Sequence, residues 1–256
     1  MTLTLTTPGP ALAARDFVLA TDLDGTFLGG AMADRRRLYD WIEANRATIG
    51  LIFVTGRDPG FITQLCESGV PWPEYVVGDV GTTIAAVEDG RIAPIAPLEA
   101  EIAALWDDSG ARVRAALDGA PGLTLQPTEF RYRVSYDLDP AAFDPAARTT
   151  VAALGHDALI SDNRFFDVLP KGVSKGPSIR RLVAHLGLDE ARVLVAGDTL
   201  NDLSMLQAGL PAVAVGGAEP ALIDAVRHLP HVHLAEAHGA GGILEAVETL
   251  ALHPTP

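Results

Sequence analysis

The sequence predicts an α/β fold, a doubly wound parallel sheet into which a smaller α+β cap domain is inserted. Three observations carry this. Short β-branched apolar runs alternate with amphipathic stretches, those runs end in polar or glycine-rich loops, and the pattern breaks in the middle of the chain and then resumes.

Taken in order, Phe17 to Thr21, Leu51 to Thr55, Val193 to Ala196 and Ala212 to Val215 are each four or five residues long, the length of strands buried on both faces. They run into TDLDGT, TGRDPG, GDTLND and GGAEP. Ligands of an open parallel sheet bind at the carboxyl ends of its strands, so these loops should line one crevice. Between them EDGR at Glu88 to Arg91 signals a hairpin. A helix is predicted from about Glu99 to Leu117, and strands near Tyr132 to Asp137 and Phe165 to Leu169. This mixed stretch places the cap at about 85–170, with residues 1–84 and 171–256 forming the core. The first residues, MTLTLTTPGPALAAR, read as a loose lead-in without the basic start or apolar stretch of a signal peptide.

A chain of 256 residues can bury a large core, and its hydrophobic fraction of 48% is that of a globular protein. No apolar run is long enough for a bilayer. A net charge of −14 opposes a nucleic-acid partner, and no basic run offsets it. The single cysteine, Cys66, rules out an internal disulfide and reads as a buried thiol, in keeping with a cytoplasmic location. The oligomeric state leaves no mark on the sequence.

Phosphoryl transfer needs a nucleophile, charge neutralisation and a proton for the leaving group. In TDLDGT the strand delivers Asp22 and Asp24 on one side, where one can attack phosphorus and the other can serve as acid and base, and Thr26 adds a hydroxyl. Thr55 and the amide of Gly56 can donate to a phosphate, while Arg57 either assists or pairs with a surface acid. Lys175 opens a helix, where the dipole disfavours a cation that lacks an anionic partner; Lys171 is the other candidate for the same task. Asp198 and Asp202 lie across a strand-to-helix turn, close enough to share a hard cation with the first loop; capping explains one of these acids but not three.

These loops, DLDGT, a strand-end threonine, a lysine and GDTLND, resemble the motifs of the haloacid dehalogenase superfamily, whose core is Rossmann-like. The resemblance implies Asp22 as nucleophile and Asp24 as acid/base. It also implies phosphate binding by Thr55, Gly56, Lys175 and Asn201. Mg²⁺ would be held by Asp22, the Asp24 carbonyl and Asp198, with Asp202 in support. The segments DLDGTFLGG, VTGRDPG, VVGDVGTTI, LQPTEFRYRVSYDLDP, FFDVLPKGVSKG and HGAGGILEAVE narrow the likeness to the sucrose-phosphate phosphatase-like family, over nearly the whole chain. Its members act on disaccharide phosphates or other sugar phosphates. By that resemblance Arg133 beside Ser135 reaches toward substrate, and Asp167 lies on the cap face over the site. The string DNRFF departs from the family pattern and makes Asn163 and Arg164 candidates for sugar hydroxyls, with Lys171 beside them.

The expected function is Mg²⁺-dependent hydrolysis of a disaccharide or hexose phosphate. Three other readings remain: a sugar phosphomutase, a receiver-like switch, which would need about half this length, and a non-catalytic sugar-phosphate sensor. The histidines His228, His231 and His233 straddle Pro230 without a ligand motif, so a zinc site there is not expected.

Overall fold

Alternation along the buried strands sorts side chains to two faces, and each face has its own layer of helices. The computed structural model describes residues 11–254; the first ten residues of the predicted lead-in lie outside that range. Strands β1 (Phe17–Thr21) and β2 (Ile49–Val54) are buried along their length. Helices α1 (Met32–Ala44) and α2 (Pro59–Glu67) follow them. Next come β3 (Tyr75–Gly78), β4 (Thr83–Glu88) and β5 (Arg91–Pro94). The middle of the chain forms α3 (Ala96–Trp106), α4 (Gly110–Ala116), β6 (Leu123–Leu125), β7 (Val134–Leu138), α5 (Ala146–Ala153), β8 (His156–Ser161) and β9 (Phe165–Pro170). The chain then returns through α6 (Lys175–Leu186), β10 (Val193–Gly197), α7 (Leu203–Leu206), β11 (Ala212–Gly216), α8 (Pro220–Val226), β12 (Val232–His238) and α9 (Ala240–Thr249).

The large sheet has the order β12-β11-β10-β1-β2-β3-β4-β5 and is parallel from β12 to β3. Val18, Ala20, Ile52 and Val54 face α6, α7 and α8. Phe17, Leu19, Leu51 and Phe53 face α1, α2 and α9. β1 lies in the interior between β10 and β2, so its carboxyl end opens at the middle of the crevice. A second antiparallel sheet, β6-β7-β9-β8, carries its own core of Trp106, Val113, Tyr136, Val151, Phe166 and Val168.

Two expectations change. The predicted hairpin forms with Asp89 and Gly90 both at positive φ, as a two-residue turn requires, but β4 and β5 pair antiparallel onto β3 and extend the large sheet. By sheet membership the insert begins near 95, not 85. The single helix from Glu99 to Leu117 is two helices, because Asp107 and Asp108 take φ of 49° and 47° and interrupt the hydrogen-bond ladder. Aspartate tolerates that conformation better than most side chains. Cys66 is buried as expected, and burial pushes its thiol pKa up to about 12. Among the described residues no helix is long and apolar enough to cross a membrane.

His156 gives the insert a pH dependence. Its ring is 4% exposed, packs 4.9 Å from the Trp106 ring, and has no hydrogen-bond partner at either nitrogen among the described residues. Burial, with Arg112 nearby, lowers its pKa below the ordinary 6.5. The unfolded chain then takes up a proton more readily than the folded one, so stability falls as pH drops below about 6.5. Thermal unfolding between pH 7.5 and 5 should show a steeper loss for the parent than for His156→Phe, and parallel curves would refute this.

Candidate active site

The carboxyl end of β1 delivers Asp22 into the crevice at 6% exposure, and the chain turns immediately through Leu23–Phe27. Gly25 makes that turn possible: its φ is +81°, and a Cβ there would meet Asp198 Oδ2 at 2.1 Å. From the neighbouring β10, Asp198 comes close to the first loop, and Thr26 Oγ1 donates to its Oδ1 at 2.7 Å. Thr26, expected to serve a phosphate, is fully buried and serves this aspartate instead.

Lys175 begins α6 with no solvent exposure, and its ammonium donates to Asp22 Oδ1 at 2.7 Å, Asp202 Oδ1 at 2.7 Å and Asn201 Oδ1 at 2.8 Å. An ammonium has three donors, and all are used. The anionic partners demanded by a lysine at a helix N-terminus are therefore Asp22 and Asp202, and they hold its pKa above the ordinary value despite burial. Asp202 Oδ2 accepts the amides of Asp198 and Thr199 at 3.0 and 3.1 Å, which fixes the turn after β10. Both Asp202 oxygens are thus engaged.

Asp22, Asp198 and Asp202 place carboxylate oxygens within 4.8 Å of one another. Three acids balanced by one ammonium leave an excess of negative charge. Burial, only partly offset by Lys175, raises the Asp22 pKa well above its usual value; burial also lifts that of Asp198 to about 7. A converging all-oxygen donor set with surplus charge fits a hard divalent cation such as Mg²⁺.

The strand-end residues of β2 complete the core side. Thr55 is buried and its hydroxyl accepts the Arg57 amide at 3.2 Å. Arg57 reaches Asp24 with two teeth, Nε to Oδ2 at 2.8 Å and Nη2 to Oδ1 at 3.1 Å, and its guanidinium lies over the Phe61 ring. Of the two roles considered for Arg57, the structure displays the pairing, with the acid/base candidate as the partner.

A cavity of about 540 Å³ opens above these groups. Asp22, Asp24, Thr55, Gly56 and Asn201 line it from the core; Arg133, Arg164 and Asp167 line it from the insert. Ser135 lies behind the lining, where its hydroxyl donates to Asp167. Asn163 sits at the exposed tip of the β8–β9 turn and outside the lining, while its neighbours Asp162 and Arg164 face in. Lys171 is 71% exposed and pairs with Asp157 at 3.0 Å, so Lys175 and not Lys171 occupies the crevice. Lys175 starts α6 beneath the crevice, whereas Lys171 lies in the open turn after β9.

Sequence reasoning missed Gln126, Phe130, Ser161 and Thr199, all in the lining. It also missed Asp79, in the turn after β3. There Asp79 and Val80 have φ of 52° and 60°. A β-branched residue in that region costs on the order of 1–3 kcal/mol and persists only when its surroundings enforce it. The amides of Asp79 and Val80 donate to the carbonyls of Arg57 and Thr55 at 3.0 and 3.1 Å. The histidines of the tail engage protein acceptors, His231 the Leu206 carbonyl and His233 the Glu245 carboxylate.

The chain is similar to proteins already known. A segment of the glucosylglycerol-phosphate synthase of Pseudomonas anguilliseptica is 43% identical over 231 residues, covering 90% of this chain but only 30% of the synthase. The mannosylfructose-phosphate phosphatase of Agrobacterium fabrum is 28% identical, over 93% of this chain and 98% of its own. The structure of a sucrose-phosphatase from Synechocystis, in complex with sucrose and phosphate, superposes with a TM-score of 0.83 at 25% identity, covering 93% of this chain and 98% of that one. The model of the sucrose-6F-phosphate phosphohydrolase family matches residues 15–250, a span holding every loop of the crevice. The chain therefore belongs to the sucrose-6F-phosphate phosphohydrolase family, within the haloacid dehalogenase superfamily.

Proposed function

We propose that the protein is a Mg²⁺-dependent phosphatase that releases inorganic phosphate from a phosphorylated glycoside through an aspartyl-phosphate. The observation that carries this is the environment of Asp22: a buried carboxylate at the middle strand's end, facing the cavity, with one oxygen held by Lys175. That grip leaves the second oxygen for attack on phosphorus.

Asp22 bonds to phosphorus as the bond to the sugar oxygen breaks. Asp24 gives that oxygen its proton, then takes a proton from the water that attacks the aspartyl-phosphate and frees phosphate. Both Asp24 oxygens are occupied by Arg57, so proton donation requires this pair to open, and an incoming phosphate dianion is the competing acceptor for the guanidinium. Thr55 and Gly56 line the cavity, and the threonine hydroxyl and glycine amide are the donors assigned to the phosphate oxygens. Mg²⁺, held by Asp22, Asp198 and the Asp24 carbonyl and supported by Asp202, would neutralise charge between nucleophile and phosphate. Asn201, expected on the phosphate, holds Lys175 here and reaches the cavity edge.

The substrate class follows from the relatives, whose names join a glycosyl group to a phosphorylated partner. A cavity of about 540 Å³ suits a ligand of that size. Phosphate release should be measured from sucrose 6-phosphate, mannosylfructose phosphate, glucosylglycerol phosphate and glucose 6-phosphate. The two-sugar and sugar–glycerol esters should lead glucose 6-phosphate in kcat/KM. EDTA should lower release at least about 100-fold, and excess Mg²⁺ should restore it. Release that survives EDTA would exclude the metal, and an isomerised hexose phosphate without free phosphate would replace the hydrolase by a mutase.

A further inference from the structure

Beside the half-exposed Arg181–Glu101 pair between α6 and α3, a buried charge bridges the gap between insert and core. Arg133, just before β7, is 7% exposed, yet its Nη2 lies 3.4 Å from the Gly56 carbonyl and 3.7 Å from Asp79 Oδ1 on the core. Its Nη1 lies 3.5 Å from Asp167 Oδ1 within the insert, and the Phe130 ring covers it with a centroid 3.5 Å from the guanidinium carbon. On the core side Asp79 is 8% exposed. Its Oδ2 accepts from Thr83 at 2.6 Å, whereas its Oδ1 is sealed from solvent without a hydrogen-bond partner among the described residues.

A buried carboxylate oxygen is tolerated only opposite a counter-charge. The guanidinium is that charge, and the arrangement exists only while the insert is down on the core. The left-handed turn fixes the aim of Asp79 and ties it by two amides to the carbonyls of Thr55 and Arg57. We propose that Asp79 is a positioning residue, the core-side counter-charge that seats Arg133 above Gly56 and so brings the insert into register with the Thr55–Arg57 loop. Asp167 holds the arginine in the insert, and Asp79 draws it to the core.

The test is a cycle of Asp79→Asn, Arg133→Gln and the double variant, read in two ways. Hydrogen exchange over residues 126–134 and 55–58 reports the seat without turnover. Each single substitution should speed exchange in both segments, and the second should add nothing to the first. If Asp79→Asn does not fold, Arg133→Gln must by itself speed exchange in residues 78–83. The kinetic arm rests on the phosphatase reading and compares glucosylglycerol phosphate with acetyl phosphate, which is too small to need the insert. Asp79→Asn should raise KM for the glycosyl ester about tenfold, near the lower end of couplings between close interfacial charges, with kcat changed less than about threefold. Its effect on acetyl phosphate should stay below about threefold in kcat/KM. Additive effects in the cycle, exchange changes confined to 78–83, or equal losses on both esters would overturn the proposal. If the parent hydrolyses neither ester, the phosphatase reading fails, and the exchange cycle still decides the role of Asp79.

Discussion

Asp22→Asn should lower phosphate release by about 10⁴-fold or more while leaving the thermal midpoint at or above that of the parent. The amide keeps an oxygen for Lys175 but cannot attack phosphorus. It also removes one of three converging acids that share a single ammonium, and burial already raises the Asp22 pKa well above its usual value. Activity and stability thus move in opposite directions, as expected where function holds like charges together. Turnover retained by this variant would remove Asp22 from the role of nucleophile. A midpoint several degrees lower would show that the charge, and not hydrogen-bond acceptance, holds the cluster.

Lys175→Met should do the reverse to stability. The lysine is fully buried among three acceptors, and its loss leaves Asp22 and Asp202 facing each other without a cation. Breaking a buried pair from one side costs about 3–5 kcal/mol. For a chain of this size that corresponds to a midpoint lower by roughly 10 °C. The sign of the pH dependence is also fixed. Asp22 and Asp198 have raised pKa values when folded, so the folded state holds protons that the unfolded chain releases. The variant should regain stability as pH falls from about 8 toward 6, where Asp198 takes up its proton, and lose it as pH rises through about 7. Calorimetry across that range would detect it, and a variant as stable as the parent at pH 8 would show that the lysine is not the brace.

Much of this site is legible in the chain because it rests on local rules. DLDGT, VTGR and GDTLND are each a strand end followed by a turn, and alternation within a buried strand places their side chains at the same edge. The EDGR turn was equally local; its membership of the large sheet was not, since pairing with β3 depends on residues outside the hairpin. Asp107 and Asp108 carry a turn signal, Asp-Asp-Ser-Gly, that a strong apolar period on both sides obscured. The resemblance favours Lys175 over Lys171, but spacing alone leaves both open, because burial at a helix start is a tertiary property. The Arg133–Asp79 contact joins the turn after β3 to the residue before β7, and no motif spacing reports it.

The interior position of β1 also governs how the chain can be assembled. β1 ends at Thr21, while its partner β10 begins at Val193, so one edge of the strand that leads into Asp22 has no neighbour until most of the chain has left the ribosome. The second sheet, β6 to β9, is contiguous and has its own core, so it can form during that interval. An open apolar strand edge invites pairing with other chains, and the interval before β10 emerges is when nascent copies are most exposed to aggregation.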